Sequence, residues 1–209
     1  GISHEIRNPL MNIRGCANIL KKRLKDDAKF EEYSSLIIEQ VDRVNVVINQ
    51  MLSYTRMKGD NFSKVDIHSE TNKCLDILHF YSNYENVIIE QCYEQNLPLI
   101  NGNAVELQQV FINLLVNSMQ SIEKEGKIKI SSKSDISTNK VIICIEDNGN
   151  GISEKDMKSI FEPFFTTKVE GTGLGLPIIK GIIDKHHGRI LIKSKVYKGT
   201  ICQIELPIN

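Results

Sequence analysis

The chain has 209 residues, 41% of them apolar, and its 26 basic and 26 acidic side chains cancel. That balance gives no electrostatic reason to expect nucleic acid or an anionic membrane as partner. No apolar run approaches the roughly 18 residues of a membrane span, and the length suits one large domain or two small ones. The cysteines Cys16, Cys74, Cys92, Cys144 and Cys202 are scattered, odd in number and without a C-x-x-C pair. They read as buried thiols of a reducing, cytoplasmic compartment rather than a disulfide framework or zinc site. The first residue already lies within a helix-like pattern and no signal peptide is visible, so a fragment of a longer protein is expected.

The first short stretch with chemical character is His4-Glu5-Ile6-Arg7-Asn8. A zinc-protease helix needs a second histidine four residues after the first, and Asn8 stands there instead. What remains is a solvated helix start or a functional His-Glu pair. Apolar residues then recur at Ile6, Leu10, Ile13, Ala17, Leu20 and Leu24, alternating steps of four and three, which is a heptad seam. Lys25-Asp26-Asp27 interrupts it, and a second seam follows at Ile37, Val41, Val44, Ile48 and Met51. Two such helices joined by a polar turn form an antiparallel hairpin. A lone hairpin buries one stripe per helix, so pairing with a second copy into a four-helix bundle is expected.

Beyond Lys58-Gly59-Asp60-Asn61 short strand-like runs mix with helical ones. The pattern predicts a helix over 69–81 and a strand over 87–92. Asn103 as N-cap, with Glu106 as its capping-box partner, starts a helix running through Gln120. Strands are expected over 127–132, 140–146, 188–193 and 200–206, with a helix over 174–185. Without regular βαβ alternation this is an α+β layer, a mixed sheet covered on one face by helices. The expected whole is therefore an α+β multidomain chain. A dimerising helical hairpin spans 1–60, and an α/β sandwich spans 61–209.

Three segments of the second half are too polar or glycine-rich for plain packing. Glu146-Asp147-Asn148-Gly149-Asn150-Gly151 follows a strand. Its glycines permit a sharp turn beside a ligand, and Asp147 presents a carboxylate that suits an adenine amine; a simple turn is the alternative. Gly171-Thr172-Gly173-Leu174-Gly175-Leu176 leads into a helix whose unpaired N–H groups suit phosphates, although its spacing is not that of a dinucleotide fingerprint. Pro177 fits the first turn of that helix. Asn113 and Asn117, four apart, share a helix face and offer amides to phosphates and oxygens to a hard cation, or are surface amides. His186-His187 has no third ligand near it and reads as a helix-end pair.

Taken in order, His-Glu-x-x-Asn-Pro, Asn-x-x-x-Asn, Asp-x-Gly-x-Gly, Phe-x-Pro-Phe and Gly-x-Gly-Leu-Gly closely resemble the catalytic core of two-component sensor histidine kinases, over essentially the whole chain. Residues up to about 60 match the dimerisation and histidine-phosphotransfer hairpin. The rest resembles the ATP-binding domain shared with gyrase, heat-shock chaperone and mismatch-repair ATPases. The resemblance implies that His4 accepts the γ-phosphoryl of Mg-ATP and later passes it to an aspartate of a response regulator. Glu5 takes the proton or orients the ring, and Asn8 assists a secondary regulator-phosphatase activity. It implies Asp147 as the adenine-reading carboxylate, with Gly149 and Gly151 shaping the pocket and Thr200 assisting. Asn117 becomes the Mg²⁺ ligand and Asn113 a phosphate-side group. Phe161, Pro163 and Phe164 resemble the apolar anchor of the ATP lid. Lys168 neutralises phosphate charge, and the loop Gly171, Thr172, Gly173, Leu174, Gly175 approaches the phosphates.

Two features depart from the family pattern. Gln120 and Ser121 stand where many relatives carry a lysine and an aromatic residue, and the lid between Phe161 and Gly171 is short, as in the nitrogen-regulation and sporulation branch. The resemblance implies a homodimer through the hairpin, no nucleic-acid partner, and membrane attachment only through a region upstream. A silent nucleotide-binding scaffold, a gyrase-like ATPase and a serine kinase acting in trans are the alternatives.

Overall fold

A computed structural model describes residues 2–23, 30, 33, 34, 37, 61–81, 87–168 and 171–208. The chain divides into two compact units, Gly1–Gly59 and Asp60–Asn209. In the first, α1 spans Ile2–Arg23. The helix runs through Pro9, whose missing N–H leaves the Glu5 carbonyl without its usual intrahelical donor. On the expected seam Ala17 is buried, while Ile13 and Leu20 are 47% and 44% exposed. Phe30, Tyr33, Ser34 and Ile37 are helical; the rest of the second seam and the expected turn at Lys25-Asp26-Asp27 lie outside the described residues.

The second unit opens with β1 (Ser63–Val65) and α2 (Ile67–Tyr81). The helix starts two residues earlier than the pattern predicts because Asp66 caps it, its Oδ1 accepting from His68 N–H at 2.9 Å and Ser69 N–H at 3.2 Å. Then come β2 (Val87–Tyr93), β3 (Ile100–Gly102), α3 (Ala104–Gln120), β4 (Gly126–Asp135) and β5 (Lys140–Asp147). A 3₁₀ turn at Asp156–Lys158 precedes α4 (Gly175–Lys185), and β6 (Arg189–Lys195) and β7 (Gly199–Pro207) finish the unit. The main sheet has the order β2-β4-β5-β7-β6, with β2 parallel to β4 and every other pair antiparallel. β1 and β3 form a separate two-stranded sheet. Each is three residues long, too short to show an alternation in the sequence.

One face of the main sheet carries the core. Along β5 burial falls on Val141, Ile143, Ile145 and Asp147, the period of two that a half-covered strand demands. These pack with Ile128, Ile130 and Ile204 against Leu107, Phe111 and Leu114 of α3 and Ile178, Ile179, Ile182 and Ile183 of α4. Each fully buried side chain of this size stabilises by roughly 1.5–3 kcal/mol. The other face is polar, with Lys127, Lys129 and Lys133 on β4 and Glu146 on β5 all exposed. Helices on one face of a mixed sheet are thus what the chain forms.

At the start of α3 the Asn103 side chain caps as expected, accepting from Val105 N–H at 3.1 Å and Glu106 N–H at 3.2 Å. The reciprocal half of the expected capping box is replaced. Asn103 N–H donates to His186 Nε2 at 2.9 Å, and Glu106 pairs with Lys185 at 2.8 Å. His186 is buried, and its Nδ1 donates to Ile182 O at 2.8 Å, so this imidazole is a neutral bridge between α3 and α4. Burial pushes its pKa below the ordinary value. The expectation of buried thiols holds for Cys74 and Cys202, both pushed up to about 12 by burial, whereas Cys16 and Cys92 are exposed.

Candidate functional site

Asp147 is the last inward-facing position of β5, so the alternation that builds the core ends there in a buried carboxylate. In the sheet register Asp147 lies beside Thr200, and Thr200 beside Ser194, giving a polar row across three strands. Asp147 Oδ1 accepts from Ser121 Oγ at 3.0 Å, Gly149 N–H at 3.0 Å and Thr200 N–H at 3.3 Å. Oδ2 takes none of these bonds, so the carboxylate is fixed through one oxygen. Ser194 Oγ lies 2.9 Å from Thr200 Oγ1 and accepts from Ile152 N–H at 2.8 Å, tying the loop after β5 to β6. Ser194 escaped the sequence reading. Its signal was the inward parity Ile190, Ile192, Ser194, which becomes informative only when the β6–β7 register is known.

Close backbone approach explains the glycines here. A Cβ at Gly199, where φ is +91°, would lie 1.8 Å from the Asp147 carbonyl oxygen. Gly151 has φ +69° and lies against the Lys195 carbonyl. The end of α3 is stitched to the same loop, since Asn150 N–H donates to Ser121 O at 2.9 Å.

Along α3, Asn113, Asn117 and Gln120 recur at steps of four and three and so form one stripe. Asn113 is buried, and its Nδ2 has no hydrogen-bond partner among the described residues. An amide donor withdrawn from water without a partner costs about 1–3 kcal/mol, so its retention points to an acceptor supplied by a ligand. Asn117 faces the start of α4, for a Cβ added at Gly175 would sit 3.9 Å from its Nδ2.

The segment leading to α4 is pinched at its base. Phe164 has φ +67°, its N–H donates to Gly173 O at 3.0 Å, and a Cβ at Gly173 would sit 2.3 Å from the Phe164 carbonyl carbon. Backbone pairing holds this base rather than the expected apolar anchoring, since the Phe164 side chain is 71% exposed and Pro163 is exposed too. Phe161 is half-buried under the Lys180 ammonium. Gly171 N–H donates to Lys168 O at 3.1 Å, and Thr172 Oγ1 accepts from Leu174 N–H at 3.4 Å. Leu174 is buried in the core, so the loop is anchored where α4 begins. Lys168 Nζ donates to Gln120 Oε1 at 2.8 Å. Desolvation pushes the Lys168 pKa below the usual lysine value, with the Asp147 carboxylate opposing that shift.

Two ends of one site therefore meet at the end of α3. Ser121 reaches Asp147, and its neighbour Gln120 reaches Lys168. His4, Glu5 and Asn8 belong to the first unit, on the helical backbone of α1; their side chains lie outside the described residues.

Comparison with known proteins matches two family models to this chain. Residues 102–209 match the family of histidine kinase-, DNA gyrase B- and HSP90-like ATPases, and residues 1–60 match the His Kinase A (phospho-acceptor) domain. Among curated relatives, the signal transduction histidine-protein kinase AtoS of Escherichia coli (strain K12) is 36% identical over 209 residues, covering 100% of this chain and 34% of the relative. Sporulation kinase C of Bacillus subtilis (strain 168) is 32% identical over 210 residues, covering 100% of this chain and 48% of the relative. A solved structure of histidine kinase ThkA in complex with response regulator protein TrrA superposes with a TM-score of 0.72 at 27% identity, covering 100% of this chain and 60% of that one. The chain belongs to the two-component sensor histidine kinases, of which it holds the catalytic core. It spans between a third and a half of the length of these two curated relatives.

Proposed function

We propose that the chain is an ATP-dependent histidine autokinase, with a phospho-acceptor hairpin over 1–60 and an ATP-binding domain over 61–209. The observation that carries the reading is the buried Asn113 amide, unpartnered among the described residues, on the stripe that continues to Asn117 and ends at Gln120, the partner of Lys168. That donor set suits a polyphosphate. Asp147, held through Oδ1, takes the adenine amine on its other oxygen. Gly149, Gly151 and Thr200 shape the pocket around the base; Gly171 closes the turn that carries Lys168, and Thr172, Gly173 and Gly175 bring backbone N–H groups to the phosphates at the start of α4. Asn117 supplies the oxygen for Mg²⁺, which lends charge neutralisation to the phosphates when bound.

In the transfer itself a ring nitrogen of His4 uses its lone pair to attack the γ-phosphorus. The bond to the β,γ-bridging oxygen breaks, and ADP leaves with that electron pair. Glu5 orients the imidazole and takes its proton. An amide at 113 cannot act as a general base toward water, which favours transfer to histidine over hydrolysis. The phosphoryl group then passes to an aspartate of a response regulator. Asn8 assists hydrolysis of the regulator's phosphoryl group as a second activity. A homodimer forms through the hairpin, consistent with Ile13 and Leu20 remaining substantially exposed on one chain.

The test is labelling with ATP carrying label in the γ-phosphate, using wild type, His4→Gln, Asp147→Asn and Asn117→Ala. Acid-labile, alkali-stable label on wild type, lost in all three variants, is expected. Acid-stable label that persists in His4→Gln would sink the reading in favour of a hydroxyl acceptor.

A further inference from the structure

The stripe on α3 ends at Gln120, and its partner comes from 48 residues away. Gln120 and Lys168 both keep solvent-exposed surface and neither belongs to the hydrophobic core, although the ammonium itself is partly desolvated, so core packing does not force their contact. The Lys168 backbone is held independently, its N–H donating to Thr166 Oγ1 at 3.1 Å and its carbonyl accepting from Gly171 N–H at 3.1 Å. The side chain then spans to α3 and ends 2.8 Å from the amide oxygen. Gln120 thus places an ammonium at the end of the stripe that begins with the unpartnered Asn113 donor. A neutral amide oxygen is a modest partner for this cation, and a phosphate oxygen is a much stronger one. The amide therefore holds the charge in position without neutralising it.

We propose that Gln120 is a positioning residue that latches Lys168 onto α3 before nucleotide arrives, so that the loop supplies the cation and the helix stores it beside the phosphate site. This rests on the nucleotide reading above. Holding the cation in place beforehand spares binding the cost of ordering a long, flexible side chain. Because Nζ and Oε1 are in contact, a lysine at 120 brings its own ammonium into the same neighbourhood. The charge is then transferable from loop to helix.

Calorimetric titration of the 209-residue chain with MgATP and with adenosine tests this in wild type, Gln120→Ala, Lys168→Ala and the double variant Lys168→Ala/Gln120→Lys. MgATP affinity is expected to fall about tenfold in Lys168→Ala and about threefold in Gln120→Ala, with adenosine affinity unchanged. In the double variant MgATP affinity returns to within about threefold of wild type. A double variant that binds adenosine normally but MgATP no better than Lys168→Ala overturns the proposal, as does unchanged MgATP affinity in Gln120→Ala. A nucleotide-free readout separates the latch from the nucleotide reading. Tryptic cleavage after Lys168, normalised to cleavage after Lys155, rises about threefold in Gln120→Ala if the amide restrains the side chain. Equal cleavage overturns the latch even if ATP binds. Wild type that binds no MgATP overturns the nucleotide reading, and the role of the stored cation with it.

Discussion

Replacing Asp147 by asparagine separates what the carboxylate does for the fold from what it does for a ligand. Its Oδ1 holds three donors, from Ser121, Gly149 and Thr200. Hydrogen bonds to a charged acceptor contribute about 1.5–3 kcal/mol each and neutral ones about 0.5–1.5, so the change weakens the set by roughly 3 kcal/mol. Removing a buried charge relieves desolvation by a comparable amount. The net effect on stability is expected to stay within about 2 kcal/mol, a melting shift of no more than roughly 8 °C. Ligand binding fares differently. To keep its oxygen on the three donors, the amide must turn its NH₂ toward the place of Oδ2, where it opposes an adenine amine. Losing a charged acceptor and gaining a misplaced donor costs about 3 kcal/mol, on the order of a hundredfold in affinity. The assay is a two-by-two cycle of wild type and Asp147→Asn against ATP and a purine ribonucleoside triphosphate lacking the amine. Wild type should prefer ATP strongly and the variant should not. If the variant keeps the wild-type preference, the ligand-reading role of Oδ2 is wrong; if it melts more than about 15 °C lower, the offset between weakened hydrogen bonds and relieved desolvation is wrong.

Asn113→Leu removes the orphaned buried donor and should raise stability by about 1–2 kcal/mol while abolishing detectable MgATP binding; thermal denaturation and calorimetry read both, and a drop in melting temperature would contradict the orphan assignment. Gly199→Ala combines a left-handed backbone with a 1.8 Å approach to the Asp147 carbonyl, so a loss of about 2–4 kcal/mol is expected, a fall in melting temperature of roughly 4–16 °C. A shift under a degree or two would show that the turn yields freely. His186 contributes a pH dependence. Its folded pKa is depressed, so the unfolded chain binds the extra proton first as pH falls, and stability is retained above roughly 6.5 and lost below it. The slope is at most about 1.4 kcal/mol per pH unit between the ordinary imidazole value and the depressed one. Denaturant melts at pH 7.5 and pH 5.5 should show this loss in wild type and a smaller one in His186→Gln.

Much of the architecture is legible in the sequence because its signals are local. The alternation along β5 and the apolar face of α4 announce themselves within ten residues, and Asn103 marks its helix start. Other features depend on partners distant in sequence. β1 and β3 are strands only because they pair with each other, and no three-residue run can reveal that. Glu106 looked like a capping-box residue until Lys185 and His186, some 80 positions away, took its carboxylate and the Asn103 N–H. In the site, Asp147 and the glycines carry local signatures, whereas Ser194 is defined by sheet register and the Lys168–Gln120 contact by a loop that the helix pattern cannot anticipate. Phe164 misleads for a related reason, since an aromatic residue suggests burial while its left-handed backbone turns it outward.

The polar row Asp147–Thr200–Ser194 occupies inward positions of three strands that otherwise carry the core. On the nucleotide reading proposed above, ligand contact is thereby tied to strand parity. Inserting one residue into β5 upstream of Asp147 would move the carboxylate to the solvent face, whereas inserting two would restore its side while displacing it along the sheet. Length variation in this fold should consequently collect in the β4–β5 turn and in the loop before α4, where a change of count leaves that parity intact.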